Sequence, residues 1–197
     1  MADADSLRPD AAGVDPAGPG AAAPESAAAD PAAEDSRRRR ERDAQRVREL
    51  IDFQEGRLGL PVLDRDGERE ILTTSRRIAV IGASANRLRP SNDILRYLVR
   101  AGYDVVPVTP GEASVEGIPA YPTLRDAVQA TGPFDIVDVF RRAEFCAEHA
   151  REAVEVGARC LWLQLGIVSA EAGRIATDGG LALVMDRCIK VEHARLF

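Results

Sequence analysis

Lysine is almost missing from this chain. Of 26 basic residues only Lys190 is a lysine and the rest are arginine, a compositional bias rather than a recognition signal. Cysteine is scarce too. Cys146, Cys160 and Cys188 are odd in number and widely spaced, which argues against a disulfide framework and against a Cys-x-x-Cys metal site. A reducing compartment, the cytoplasm, is the expected location. The only histidines, His149 and His193, lie far apart among scattered cysteines, so no metal constellation can be assembled and no metal is expected. No window approaches the ~18 consecutive apolar residues of a membrane-spanning helix. The first residues are acidic and rich in alanine and proline, without the basic start and apolar core of a signal peptide. No membrane partner is expected.

What is present is unevenly distributed. The length, 197 residues, suits one domain plus extras. Residues 1–35 hold 13 Ala, 5 Pro and 3 Gly, with eight acids against Arg8. Residues 36–50 reverse the sign, with seven arginines against Glu41, Asp43 and Glu49. The remaining 147 residues carry a net charge of only −3. That balance disfavours a strongly basic nucleic-acid-binding face.

Three segments follow. Residues 1–42 have almost no large apolar side chains and cannot offset chain entropy, so they read as a disordered acidic tail with an arginine run. Arg37–Arg40 admits contact with nucleic acid or an acidic partner; a solvated patch or a helix-starting charge run is the plainer reading. Residues 43–75 read as a short helix and a connector. Val47, Leu50, Ile51 and Phe53 fall near helical spacing, the helix ends around Gly56, and 57–75 connects. Residues 76–195 alternate between apolar runs and helical stretches.

Candidate strands are Arg77–Ile81, Asp104–Val108, Phe134–Phe140, Arg159–Leu165 and Leu181–Met185, mostly apolar on both faces, as a covered parallel sheet requires. Between them lie candidate helices at Asn92–Ala101, Leu124–Gln129, Ala143–Val156 and Ala170–Thr177. Ser91 is the expected N-cap of the first, Gly102 and Gly157 terminate the first and third, and Ser169 and Gly179 bracket the last. This alternation predicts an α/β fold: a doubly wound, mainly parallel five-stranded Rossmann-like sheet.

In such a sheet ligands bind beyond the carboxyl ends of the strands. After the first strand, Gly82 permits close backbone approach, Ser84 offers a hydroxyl, and the following helix start presents N–H groups to an anion. Arg87 and Arg89 could add charge-assisted contacts to phosphate. The turn is not the dinucleotide fingerprint, because Ser84 and Arg87 stand where Gly-x-Gly-x-x-Gly needs glycines. No acid ends the second strand to hold a ribose, so a hydride-transfer cofactor is disfavoured. Phe140-Arg141-Arg142 closes the third strand, where a base could stack and a phosphate be neutralised; core packing and a solvated helix start are the alternative. Gln164 is polar within an apolar run at the ligand edge, and Trp162 reads as core.

Ile78–Ser84, Arg89-Pro90-Ser91, Gly102–Val108, Asp138–Arg142, Trp162–Ile167 and Val184–His193, in that order, closely resemble the small stand-alone CoA-binding domain proteins. Those are Rossmann-like and similar to the CoA-binding domain of the succinyl-CoA synthetase alpha subunit. The resemblance implies coenzyme A, or an acyl-CoA, lying across the strand ends. Its site would comprise Gly82, Ala83, Ser84, Arg89, Ser91, Thr109, Phe140, Arg141, Arg142 and Gln164. Thr109 departs from the asparagine common in the family; it keeps a hydroxyl but lacks the amide. Four arginines (87, 89, 141 and 142) could meet the phosphates.

The leading expectation is therefore a non-catalytic CoA-binding module acting as a sensor, carrier or recruiting protein, with a protein partner or a homo-oligomer left open. The alternative is an enzyme acting on CoA thioesters or CoA disulfides with Cys188 and His193 as reacting groups. A structural role for the C-terminal segment, fixed by Asp186, Arg187 and Glu192, stands beside it. No catalytic constellation is established by the residues alone.

Overall fold

The computed structural model describes residues 31–197 of the chain. The elements follow one another as α1 (Pro31–Gln54), α2 (Arg65–Thr74), β1 (Arg77–Ile81), α3 (Pro90–Arg100), β2 (Asp104–Val108), β3 (Ser114–Val115), β4 (Ile118–Pro119), α4 (Leu124–Thr131), β5 (Ile136–Val139), α5 (Ala143–Glu155), β6 (Cys160–Leu163), α6 (Ala170–Asp178), β7 (Ala182–Val184) and α7 (Ile189–Leu196). Five strands form one parallel sheet in the order β2-β1-β5-β6-β7. The order reverses between β1 and β5, which fixes where a crevice opens at the carboxyl edge. Ile81, the last residue of β1, pairs with Val108 on one side and Val139 on the other.

The strands are apolar on both faces because each face is covered. On one side Val137, Val139, Leu161 and Leu183 pack with Leu124 of α4, Ala150 of α5 and Ala172 of α6. On the other, Ile78, Val80, Trp162 and Val184 pack with Leu72 of α2, Leu95 and Leu98 of α3, and Ile189 of α7. The expected doubly wound five-stranded sheet is what forms.

The boundaries of the flanking segments differ from expectation. The helix expected from residue 43 begins at Pro31, so the Arg37–Arg40 run is helical; pairs at i,i+4, Arg38–Glu34 at 2.6 Å and Arg37–Glu41 at 2.9 Å, support the added turns. The expected disorder of residues 1–30 lies outside the described residues. Leu50 and Phe53 of α1 lean on the core, and Glu49 accepts the Ala170 N–H at the start of α6 (3.3 Å). The stretch read as a connector holds α2, capped by Asp64, whose side chain accepts the Gly67 N–H, with Ile71 and Leu72 buried. Val62 bridges to Leu183 of β7, and Tyr121 bridges to Val108 of β2.

Ser91 is not the cap of α3. Arg89 occupies that position without a side-chain bond, Pro90 opens the helix, and Ser91 is buried in its first turn. Proline's fixed φ suits the first helical position, so the helix begins two residues earlier than a serine cap would set it. Ser169 does cap α6, accepting from Ala172 N–H.

Candidate functional site

At the switch point the carboxyl ends of β1, β5 and β6 open into a cleft of about 600 Å³ on the α3 and α7 side of the sheet. Gly82, Ala83, Ser84, Arg89, Ser91, Thr109, Phe140, Arg141 and Gln164 line it, with Pro90, Ile94, Leu165, Ile167 and Cys188. Arg142 does not. It pairs with Glu144 at 3.3 Å and lies over the Phe145 ring at 5.1 Å, outside the cleft. Successive residues past a strand end point to opposite sides, and Arg142 goes with the start of α5.

The turn after β1 is shaped by its neighbours. Gly82 has φ +78°, and its N–H donates to Val108 O at 2.9 Å. Phe140 N–H donates to Ile81 O at 2.9 Å, tying the β5 end beside it. Asn92, fully buried in the first turn of α3, donates from one amide nitrogen to Ser84 O (2.9 Å) and Glu116 Oε1 (3.1 Å) and accepts from Arg96 at 3.0 Å. Sequence reading missed Asn92; a buried-helix amide eight residues past a phosphate-type serine is the signal that was there.

Arg87 is spoken for. Its guanidinium grips Glu116 through two bonds, at 3.0 and 2.6 Å, and hydrogen bonds from Arg87 and Asn92 hold the Glu116 carboxyl below its usual range. Of the four arginines expected to meet phosphates, Arg87 and Arg142 are thus committed to carboxylates. Arg89 and Arg141 line the cleft, and among the described residues neither forms an ion pair with a carboxylate. Arg141 lies 5.4 Å from the Phe145 ring centre, so its guanidinium is partly desolvated on one face.

The floor holds a polar pair in an apolar setting. Gln164 Nε2 donates to Asp138 Oδ1 at 2.6 Å, and both residues are buried, Asp138 completely. Among the described residues Asp138 Oδ2 has no partner. Burial pushes the Asp138 carboxyl up to about 8, with the Gln164 amide opposing. At the β6 end Gly166 N–H donates to Asp186 Oδ1 at 2.7 Å, which holds Asp186 in a left-handed backbone conformation (φ 54°).

Cys188 lines the cleft, half-buried, but His193 does not join it. The His193 ring sits 4.6 Å from the Phe197 ring, its Nδ1 is 2.9 Å from the Tyr97 hydroxyl, and burial lowers its pKa. Among the described residues no hydrogen bond links the two, so the pairing of Cys188 with His193 is not formed. Cys146 and Cys160 are buried, and no cluster of three metal-ligating side chains exists among the described residues. No helix of the described residues is long and apolar enough to cross a membrane.

Comparison with known proteins agrees with the fold. The chain is 40% identical over 126 residues to the uncharacterized YneT protein of Bacillus subtilis, covering 64% of this chain and 91% of that one. A hypothetical protein of Pyrococcus horikoshii superposes with a TM-score of 0.64 at 35% identity, over 68% of this chain and 92% of the other. A Thermus thermophilus protein gives 0.63 at 36%, over 68% of this chain and all of its own length. A dinucleotide-forming acetyl-coenzyme A synthetase of Korarchaeum cryptofilum, at 21% identity and a TM-score of 0.51, shares the fold over 26% of its length. Residues 76–194 match the family model described as a CoA binding domain, and the chain belongs to that family.

Proposed function

We propose that the cleft binds coenzyme A or an acyl-CoA and that the protein is a non-catalytic binding, sensor or carrier module. The observation that carries this reading is the pair of guanidinium groups, Arg89 and Arg141, that line the cleft with the Gly82–Ser84 turn and among the described residues form no ion pair, while Arg87 and Arg142 are neutralised. Phosphate oxygens would meet both cations, the Ser84 hydroxyl and the uncapped start of α3. The apolar side of the cleft, Ile94, Leu165 and Ile167, suits the less polar arm of the ligand. Residues 76–195 would form the binding unit, supported by α2. Free cysteines fit a cytoplasmic location.

A second reading keeps Cys188 as a reacting group. It rests on one observation, that this thiol lines the same cleft, and without His193 it needs no enzyme: exchange with a CoA disulfide would form a mixed disulfide and release one CoA thiol.

The test compares melting temperatures with CoA and with NADH at equal concentration, alongside native mass spectrometry of freshly purified protein. A ligand bound only to the folded state raises the midpoint. CoA is expected to raise it and a species of CoA mass to co-purify. Stabilisation by NADH and not by CoA overturns the reading.

A further inference from the structure

The floor of the cleft poses a bonding problem with one good solution. Asp138 lies in β5 between Val80 of β1 and Trp162 of β6, with no solvent contact. Among the described residues only Oδ1 has a partner, the Gln164 side-chain amide; Oδ2 has none. An ionised carboxylate here would be desolvated, unpaired with any cation and held by one hydrogen bond, a costly state. Burial accordingly raises its pKa to about 8, so near neutrality it carries a proton.

That proton must be donated. On Oδ2 it would be a buried donor with no acceptor, so it belongs on Oδ1, facing Gln164. An O–H needs an oxygen opposite, and a half-turn of the Gln164 terminal torsion exchanges its Nε2 for its Oε1. With the carbonyl held by Asp138, the amide nitrogen is the group left for the cleft that Gln164 lines.

We infer that Asp138 is a positioning residue for the ligand site: the neutral acid holds the Gln164 carbonyl, turns the amide nitrogen to the cleft and so selects a hydrogen-bond acceptor on the ligand. This rests on the proposed CoA site, where the matching group is a carbonyl oxygen of the pantetheine arm. Loss of the Asp138 proton reverses the pair. The carboxylate then demands an N–H, Gln164 shows its carbonyl, and the ligand carbonyl meets like polarity.

Few other groups can produce this dependence. Cys160, in β6 on the same face, feels the Asp138 charge, and burial keeps it neutral by raising its own pKa strongly. On the helices covering that face, Glu68 pairs with Arg187, Asp93 with Lys190 and Glu192 with Arg195. Cys188 is present in both proteins compared below.

The experiment measures the affinity of wild type and Asp138→Asn for S-methyl-CoA, whose sulfur cannot ionise, between about pH 7 and about pH 9.5 by titration calorimetry. Wild-type affinity is expected to fall roughly three- to tenfold, the worth of one hydrogen bond. Asp138→Asn has no proton to lose at this position, so that fall is expected to be absent from it. A flat wild-type profile overturns the inference without the variant, as does an unchanged slope in Asp138→Asn. Binding by neither protein at any pH rejects the CoA site itself, a separate result.

Discussion

The Arg141 stem fills the space where a side chain on Gly82 would stand. A Cβ on Gly82 would stand 3.0 Å from Arg141 Cδ and 3.1 Å from the Phe140 carbonyl oxygen, and its φ of +78° is a conformation that side chains disfavour. The Arg141 stem can swing aside; the Phe140 backbone, hydrogen-bonded to β1, cannot. The glycine is required by neighbour and backbone alike.

Gly82→Ala is therefore expected to cost about 1–2 kcal/mol from the left-handed backbone alone, and more from the displaced β5 end. Urea unfolding should show a lower midpoint with an unchanged slope, and CoA affinity should fall because Arg141 is displaced.

Arg89→Ala and Arg141→Ala should each weaken CoA binding by roughly tenfold or more, since each removes a charge-assisted contact worth about 1.5–3 kcal/mol. Arg142→Ala should change it by less than about twofold, its partner being Glu144. Calorimetry at low and moderate salt measures all three. Equal losses would mean that the ligand reaches past the cleft.

The buried Asp138 makes stability fall as pH rises. Its folded-state pKa, about 8, exceeds the unfolded value of a carboxylate near 4, so the native chain binds one more proton throughout that interval. The penalty is absent below the unfolded value, grows by up to about 1.4 kcal/mol per pH unit, and levels off above the folded one. Asp138→Asn removes it. The variant's melting temperature, relative to wild type, should rise from pH 5 to pH 8; a difference constant over that range would show the carboxyl ionised in the fold.

Thiol labelling should be selective. Burial pushes the Cys146 thiol up to about 12 and encloses Cys160, whereas Cys188 faces the cleft. Iodoacetamide on the native protein, followed by peptide mass mapping, is expected to modify Cys188 first, and CoA should slow it. Modification of Cys146 at a similar rate would indicate opening of α5.

The five core strands were legible because apolar runs of buried parallel strands leave no other place for Val80 or Leu161. The turn after β1 was legible through Gly82 and Ser84. What escaped was decided by contacts distant in sequence. Nothing in the arginines themselves separates Arg87 from Arg89; the difference is Glu116, brought over by the β3–β4 ribbon, whose two-residue strands carry no periodicity. Helix α2 was missed because Arg65–Thr74 is short and polar, its buried stripe reduced to Ile71 and Leu72. Asp138 counted as one letter of a motif, and only the fold shows that it sits beneath Gln164.

The bridges made by Val62 and Tyr121 have a bearing on self-association. Leu63 N–H donates to Leu183 O beside β7, while beside β2 Thr109 N–H donates to Tyr121 O and Tyr121 N–H to Pro107 O, so each outer margin of the sheet is partly sealed by the chain's own loops. A second molecule cannot extend this sheet by adding a strand there without first peeling those loops away.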